Sequence, residues 1–334
     1  MNILKKITAL LLIFTLVFSF AACDGGDVEP TGLDFENGPT VPPVVPEDPD
    51  RGDKKVNIAA VEGVGGLPFL RLLLDRGYAY NLVESGASPA EVADMLKSNK
   101  ISIAAVGIED IPALAAQTDI RILAVSAKMT LSAMMKKPPE GEDNSSKSRD
   151  VYCGGKDTAV QYVAEKVLRE NGTFSNVTFI TDAEITEKMK NGEDCIFILQ
   201  EPEALYATAS YPDYSRAATL TNKWSEDYVP AYTCIVARGD FVDANPSAVK
   251  EFLVHIEGIA NSFATEMGAM YTALEFVKKG WYSSNETAMK AVSTSGIVYV
   301  EKEEMKKSVK STLDFLNSKN PAIGQVDDSV FYMG

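Results

Sequence analysis

A chain of 334 residues suits two domains, and a 46% apolar composition gives each a core to bury. A net charge of −15 sets an acidic surface against phosphate backbones and anionic headgroups, so no nucleic acid partner is expected. One histidine, His255, in an apolar helix-like stretch, and Cys153, Cys195 and Cys234, far apart and at no zinc spacing, argue against a histidine triad or a metal centre, and no cofactor is expected.

Along the chain, Lys5 and Lys6 make a short basic head, Ile7 to Phe20 an apolar run, and Phe20-Ala21-Ala22-Cys23 a small-residue exit. That is the order of a secretory signal, and the run is short for a membrane span, which needs roughly 20 residues. The Ala-Ala-Cys ending resembles a bacterial lipobox, with Phe20 where Leu is usual. The resemblance implies a signal peptide over 1–22, a lipid thioether on Cys23, and a chain anchored extracytoplasmically on the outer face of the cell membrane. Residues 23–54, rich in Pro, Gly, Asp and Glu, have too little apolar content for a core and read as a disordered tether.

From residue 55 the pattern alternates. Val56–Val61 is a strand, Gly63-Val64-Gly65-Gly66 a glycine turn, and Leu67–Asp75 a helix. Tyr80–Val83 leads through Ser85-Gly86-Ala87 to a helix over Ala90–Ser98. Ile101–Val106 leads through Gly107 to a helix near Asp110–Ala116, and Ile120–Val125 is a fourth strand. After a polar break at 136–149 a second set begins. Val151-Tyr152-Cys153 is followed by Gly154-Gly155 and a helix from about Thr158 to Asn171. Val177–Ile180, Cys195–Leu199 and Tyr232–Ala237 are further strands, and the chain after Asn245 is mostly helical. Strands alternating with helices imply α/β architecture, mixed sheets with helices on both faces.

Ligands of open α/β sheets bind beyond the carboxyl ends of strands, where glycine admits a close approach and helix starts offer unpaired N–H groups. Gly63-Val64-Gly65-Gly66 lacks the third glycine of a dinucleotide turn, with Pro68 in its place. It reads as a tight turn or a ligand contact. Ser85 and Ser88 serve as helix caps or as contacts, and Glu109 favours a helix start by its charge or meets a ligand. Gly154-Gly155-Lys156-Asp157-Thr158 is the best anion candidate, or an ordinary N-cap beside a solvated lysine. It lacks the order of a phosphate loop. Glu201, at a strand end, receives a cationic or hydroxylated group or caps the next helix. Trp224, Trp281, Tyr228 and Tyr232 are stacking candidates or core.

These stretches together resemble the periplasmic-type substrate-binding proteins of ABC importers, nearest the nitrate, sulfonate, taurine and thiamine-precursor branch. The resemblance rests on Val56–Val61 with its glycine turn, Ser88-Pro89-Ala90-Glu91-Val92, and Ile101–Gly107. It continues in Gln200-Glu201-Pro202, similar to a Pro-Glu-Pro signature, and in Arg238-Gly239-Asp240-Phe241 with Asn245-Pro246-Ser247-Ala248-Val249. It ends in Ile297–Tyr299, Asn320–Gly324 and Asp327–Tyr332. It implies a two-lobe fold with a ligand cleft: lobe 1 over 55–128, lobe 2 over 129–231, and completion of lobe 1 over 232–334. Crossovers would run near Ser126–Thr130 and Pro230–Cys234. By the same resemblance, ligand contacts fall at Gly65, Gly66, Ser85, Gly86, Gly107, Ile108, Lys128, Thr130, Gly155, Lys156, Asp157, Thr158, Glu201 and Thr233.

The expected function is that of a monomeric lipid-anchored receptor. It would clamp a small-molecule ligand between its lobes and deliver it to an ABC transporter permease. Backbone amides and Lys156 would suit a sulfonate or carboxylate, whereas the aromatics and Glu201 would suit a heterocycle. The alternatives are an enzyme on the same fold, using Glu109, Glu201 or His255, and a ligand-sensing lipoprotein.

Overall fold

A computed structural model describes residues 55–61, 64–138, 148–171, 176–201, 203–221, 227–278 and 284–334. The signal sequence, Cys23, the tether, Pro202, Trp224 and Trp281 lie outside the described residues. The chain divides into a small unit, Met1–Val44, and a large one, Val45–Gly334, to which everything described belongs.

The described strands are β1 (Val56–Val61), β2 (Tyr80–Ala87), β3 (Ile103–Gly107), β4 (Ile120–Lys128), β5 (Leu131–Lys136), β6 (Val151–Cys153), β7 (Val177–Phe179), β8 (Ile196–Gln200), β9 (Tyr214–Thr219), β10 (Ala231–Arg238) and β11 (Ile297–Val300). They form two mixed sheets, ordered β11-β4-β10-β3-β1-β2 and β7-β6-β8-β5-β9. In the first, β1 is parallel to β2 and β3, and β10 runs antiparallel between β3 and β4. In the second, β6 is parallel to β7 and β8, and β5 runs antiparallel between β8 and β9.

The helices are α1 (Gly66–Arg76), α2 (Pro89–Lys97), α3 (Ile111–Ala115), α4 (Ala159–Asn171), α5 (Asp182–Lys190), α6 (Glu203–Ser210), α7 (Gly239–Ala244), α8 (Pro246–Phe263), α9 (Glu266–Lys278), α10 (Asn285–Thr294) and α11 (Lys302–Lys319). They cover both faces of the sheets, because alternate residues of a buried strand point to opposite sides. Ile58, Ala60, Ile103 and Ala105 join Leu67 and Phe69 of α1, Phe252 and Ile256 of α8, and Phe276 of α9 in one core. Ala59, Val61, Ala104 and Val106 join Val92 and Leu96 of α2 and Val309 and Leu313 of α11 in another. A third core lies under α5 and α6, around Met134, Phe197 and Leu199.

The second of these cores does not stop at one sheet. It includes Val163, Val167 and Ile198 of the β6–β8 half as well as Ile108, Leu313 and Leu316 of the β1–β4 half. Phe315 of α11 packs against it, with the Lys166 ammonium of α4 at 5.6 Å from its ring centre.

The sole histidine, His255 on α8, packs edge-on against the Tyr80 ring. Arg76 donates from Nε to His255 Nε2 at 3.2 Å, and Nδ1 lies 3.2 Å from the Tyr80 hydroxyl. Cys153, Cys195 and Cys234 are buried free thiols. Three strands go beyond the sequence reading. Two of them, β5 and β9, carry the antiparallel side of the second sheet, and β11 closes the edge of the first beside β4.

Candidate functional site

The chain leaves the first sheet at Lys128, the end of β4, and enters the second at Leu131, the start of β5. It returns between Thr219 of β9 and Ala231 of β10. Leu131 lies opposite Gln200, the last residue of β8, so the carboxyl edge of the second sheet faces the crossover. Lys128, at the carboxyl end of β4, lies opposite Ala231. Both sheets therefore turn their carboxyl ends toward one junction, where an α/β fold places ligands.

On the first sheet, Gly65, Gly107 and Thr233 come together. Thr233 lies opposite Gly107 in the β10–β3 register, and its carbonyl accepts from Ser126 Oγ at 3.2 Å. A Cβ on Gly65 would sit 2.5 Å from Thr233 Cγ2, so that turn admits only glycine while Thr233 stays in place. Gly66 opens α1 and is buried, and Ile108 is buried in a single 3-10 turn. Gly107 is crowded from another side: the Asp110 carboxylate folds back to within 2.9 Å of where its Cβ would lie.

Ser85 and Gly86 stand apart from this group, on the edge strand β2, where the register against β1 slips. Gly86 is exposed at φ +87° with open space around it, and it absorbs the second of the two register shifts. Lys128 is exposed, and Thr130 is half-buried with its carbonyl accepting from Glu201 N at 2.9 Å. Gly296, which carries no local signal in the sequence, seats this crossover. Its carbonyl accepts from Lys128 N at 2.9 Å, and a Cβ there would lie 2.5 Å from both Lys128 O and Thr130 Oγ1.

The second sheet supplies the loop from Gly154 to the start of α4. Gly155 has φ +67° and Asp157 φ +65°. The Lys156 and Asp157 side chains are exposed, whereas the backbone N–H groups turn inward. Gly154 N–H donates to Ile198 O (2.9 Å), Gly155 to Asp182 Oδ1 (3.0 Å), Lys156 to Ile180 O (3.3 Å) and Asp157 to Gln161 Oε1 (2.9 Å). Thr158 N–H donates to Gly155 O (3.0 Å), Val160 to Thr158 Oγ1 (3.2 Å) and Gln161 to Thr158 O (3.1 Å). The remaining donor, Ala159 N–H at the first position of α4, reaches across the junction to Glu109 Oε2 at 2.7 Å. Glu109 does serve a helix start by its charge. The helix it serves is α4 of the opposite sheet and not the one that follows it in sequence.

Two of these acceptors are carboxylates tuned by their surroundings. Burial raises the Glu109 pKa, and the Ala159 N–H pulls the other way. Asp182 is exposed as a residue, but its carboxyl is tucked against Gly154 and Gly155. That desolvation raises its pKa, against the Gly155 N–H. Tyr232, half-buried on β10, is held near both. Burial pushes its phenol well above the ordinary value, a hydrogen bond with the Gln200 side chain opposes this, and the charges of Glu203, Glu109 and Asp182 add to it. The junction is thus lined by carboxylates from both sheets, with Tyr232 among them.

Glu201 is held differently from its neighbours. Its side chain is 0% exposed, and Oε1 accepts from Ser132 Oγ at 2.7 Å and from the Arg216 guanidinium. Oε2 has no hydrogen-bond partner among the described residues. Beyond the junction, a pocket of about 270 Å³ opens between α2 and α3, lined by Ala93, Asp94, Val106, Asp110, Leu114 and Gln117.

The sequence signals that pointed to this region were the glycine turns at strand ends. Glu109 and Tyr232 were candidates from the sequence but without their partners, and Asp182, Arg216 and Gly296 gave no comparable signal, because each acquires its role from a partner distant in the chain.

No family model matches this chain, and no curated protein is similar to it in sequence. Solved structures are similar in fold. An ABC transporter protein from Parabacteroides distasonis superposes with a TM-score of 0.68 at 16% identity, over 84% of this chain and 99% of that one. The alkanesulfonate-binding protein SsuA from Xanthomonas axonopodis pv. citri, bound to MOPS, gives 0.57 at 11% identity, over 84% and 98%. The periplasmic nitrate-binding protein NrtA from Synechocystis gives 0.53 at 14% identity, over 83% of each chain. The two crossed-over sheets of this chain form the periplasmic-binding-protein-like fold shared by the substrate-binding components of ABC importers.

Proposed function

We propose that this chain is an extracytoplasmic solute receptor of an ABC importer. Its lobes, 55–128 with 232–334 and 129–231, close on a small molecule at the junction of the two sheets and present it to a membrane permease. The observation that carries this reading is the convergence of both carboxyl edges on the crossover, with Gly65, Gly107, Thr233, Tyr232 and the Gly154–Thr158 loop around it. No bond needs to be made or broken there, which agrees with the transport role of the proteins that share the fold. Lipidation at Cys23 and a tether over 23–54 would hold the receptor at high effective concentration near its permease.

A thermal-shift screen of the full-length chain against amines, aminopyrimidines, carboxylates and sulfonates tests the reading. One class should raise Tm saturably, by several degrees at about 100 times its Kd. The shift should weaken in Tyr232→Phe, and the ligand should be recovered unchanged. Turnover of the ligand would convert the receptor into an enzyme, and silence across a widened panel would remove the small-molecule role. For the anchor, Cys23→Ser should move the protein from the membrane fraction to the medium or periplasm.

A further inference from the structure

Sulfonates, nitrate and carboxylates are bound in proteins where backbone N–H groups point outward at a helix start, because those donors lack intrahelical partners and the helix dipole favours negative charge there. The start of α4 is such a place by sequence: a glycine loop, no acidic residue in the first helical turn, and a 13-residue helix behind it. In the folded chain none of those donors is left over. All eight consecutive N–H groups from Gly154 to Gln161 are donated within the protein. Two go to carboxylates, Gly155 to Asp182 and Ala159 to Glu109. The second is the decisive contact, since Glu109 comes from the other sheet and lies across the cleft. The chain has filled an anion seat with its own anion.

Resting on the receptor reading above, we propose that Glu109 is the specificity-determining residue of the cleft. Its carboxylate occupies the position an oxyanion would take at the start of α4. The wild-type site therefore turns away sulfonates and other oxyanions, and it admits ligands whose polar end donates hydrogen bonds. Two further charges act in the same direction. Asp182 and Glu203 lie close enough to the Tyr232 hydroxyl for their charges to act on its ionisation. A free anion entering the cleft would have to displace Glu109 from a 2.7 Å hydrogen bond and then sit beside it. Like charges at that range repel in a partly desolvated site. Lys156, the cation nearest in sequence, is exposed and offers little to offset this. The shared fold therefore does not bring with it the ligand chemistry of the sulfonate- and nitrate-binding proteins.

The test is chemical rescue in the full-length chain. Glu109→Ala leaves a carboxylate-sized gap against the Ala159 N–H. Acetate and methanesulfonate should fill that gap, raising the variant's Tm saturably by about 5 °C. The wild type should respond to neither. Glu109→Gln keeps the shape and can still accept from Ala159 through its amide oxygen, so it should fold normally and show no rescue. It also guards against a Glu109→Ala chain that fails to fold, because wild-type and Glu109→Gln titrations alone remain decisive: saturable sulfonate binding to either overturns the proposal. Absence of rescue in a folded Glu109→Ala chain overturns it as well. The outcome is separable from the receptor reading. Rescue without any ligand for the wild type would leave Glu109 as an internal anion and remove the receptor, whereas a tightly bound sulfonate would keep the receptor and remove the role of Glu109.

Discussion

Asp110 lies beside the cleft with its carboxylate folded over Gly107, and burial followed by the charge of Glu109 raises its pKa from 3.8 to about 6. The folded chain therefore holds a proton there that the unfolded chain has released. Between those two values stability falls as pH rises, and above about 6 the full cost of the ionised group is present. Asp110→Asn removes that cost. It should stabilise the chain by about 1 kcal/mol at pH 8, a figure discounted for the solvent that reaches the group, and by nothing near pH 4. Denaturant midpoints at the two pH values decide it, and an equal gain at both would place the effect elsewhere. Glu201 is a fully buried carboxylate held by Arg216 and Ser132. Arg216→Met should cost about 3 kcal/mol by stranding that carboxylate, and adding Glu201→Gln should recover most of it. Additive losses in the double variant would show that the pair is not coupled.

At the scale of elements, two helices are started by the same device. Ser88 and Glu91 exchange hydrogen bonds at the head of α2, 2.8 Å from Ser88 N and 3.3 Å from Glu91 N. Thr181 and Glu184 do so at the head of α5, at 2.8 and 3.2 Å. Ser88→Ala and Thr181→Ala should each lower stability by about 1 kcal/mol, and Ser→Gly at 88 by less. A flat response in urea melts would mean that the helices are held by packing alone. The strands β1, β3, β4 and β10 could be read from sequence because they are buried on both faces and written almost wholly in apolar residues. β5 and β9 escaped because LSAMMK and YSRAAT show neither a continuous apolar run nor a clear alternation. β5 is a strand because β8 and β9 flank it, and that pairing is set by the crossovers. The same limit hid the partner of Glu109. That partner lies 50 residues away, and the local pattern shows a helix start but not which carboxylate will fill it.

For the whole molecule, the sequence carried the positions of the turns, and only the fold showed what each turn faces. The apolar cluster shared by the two halves was the feature furthest from view. Ile108, Leu313 and Leu316 on one side and Val163 and Val167 on the other belong to a single seam, with Phe315 and Lys166 along it. Any hinge motion that separates the halves must wet this seam. Hydrating apolar surface raises heat capacity, so the driving force that keeps such a seam dry weakens on cooling. The ligand-free chain should accordingly be a thermometer of its own closure. Its radius of gyration in small-angle scattering should increase as the solution is chilled and shrink again on warming. A radius that ignores temperature would mean that the seam stays intact in every state the protein visits, and that ligands enter without parting it.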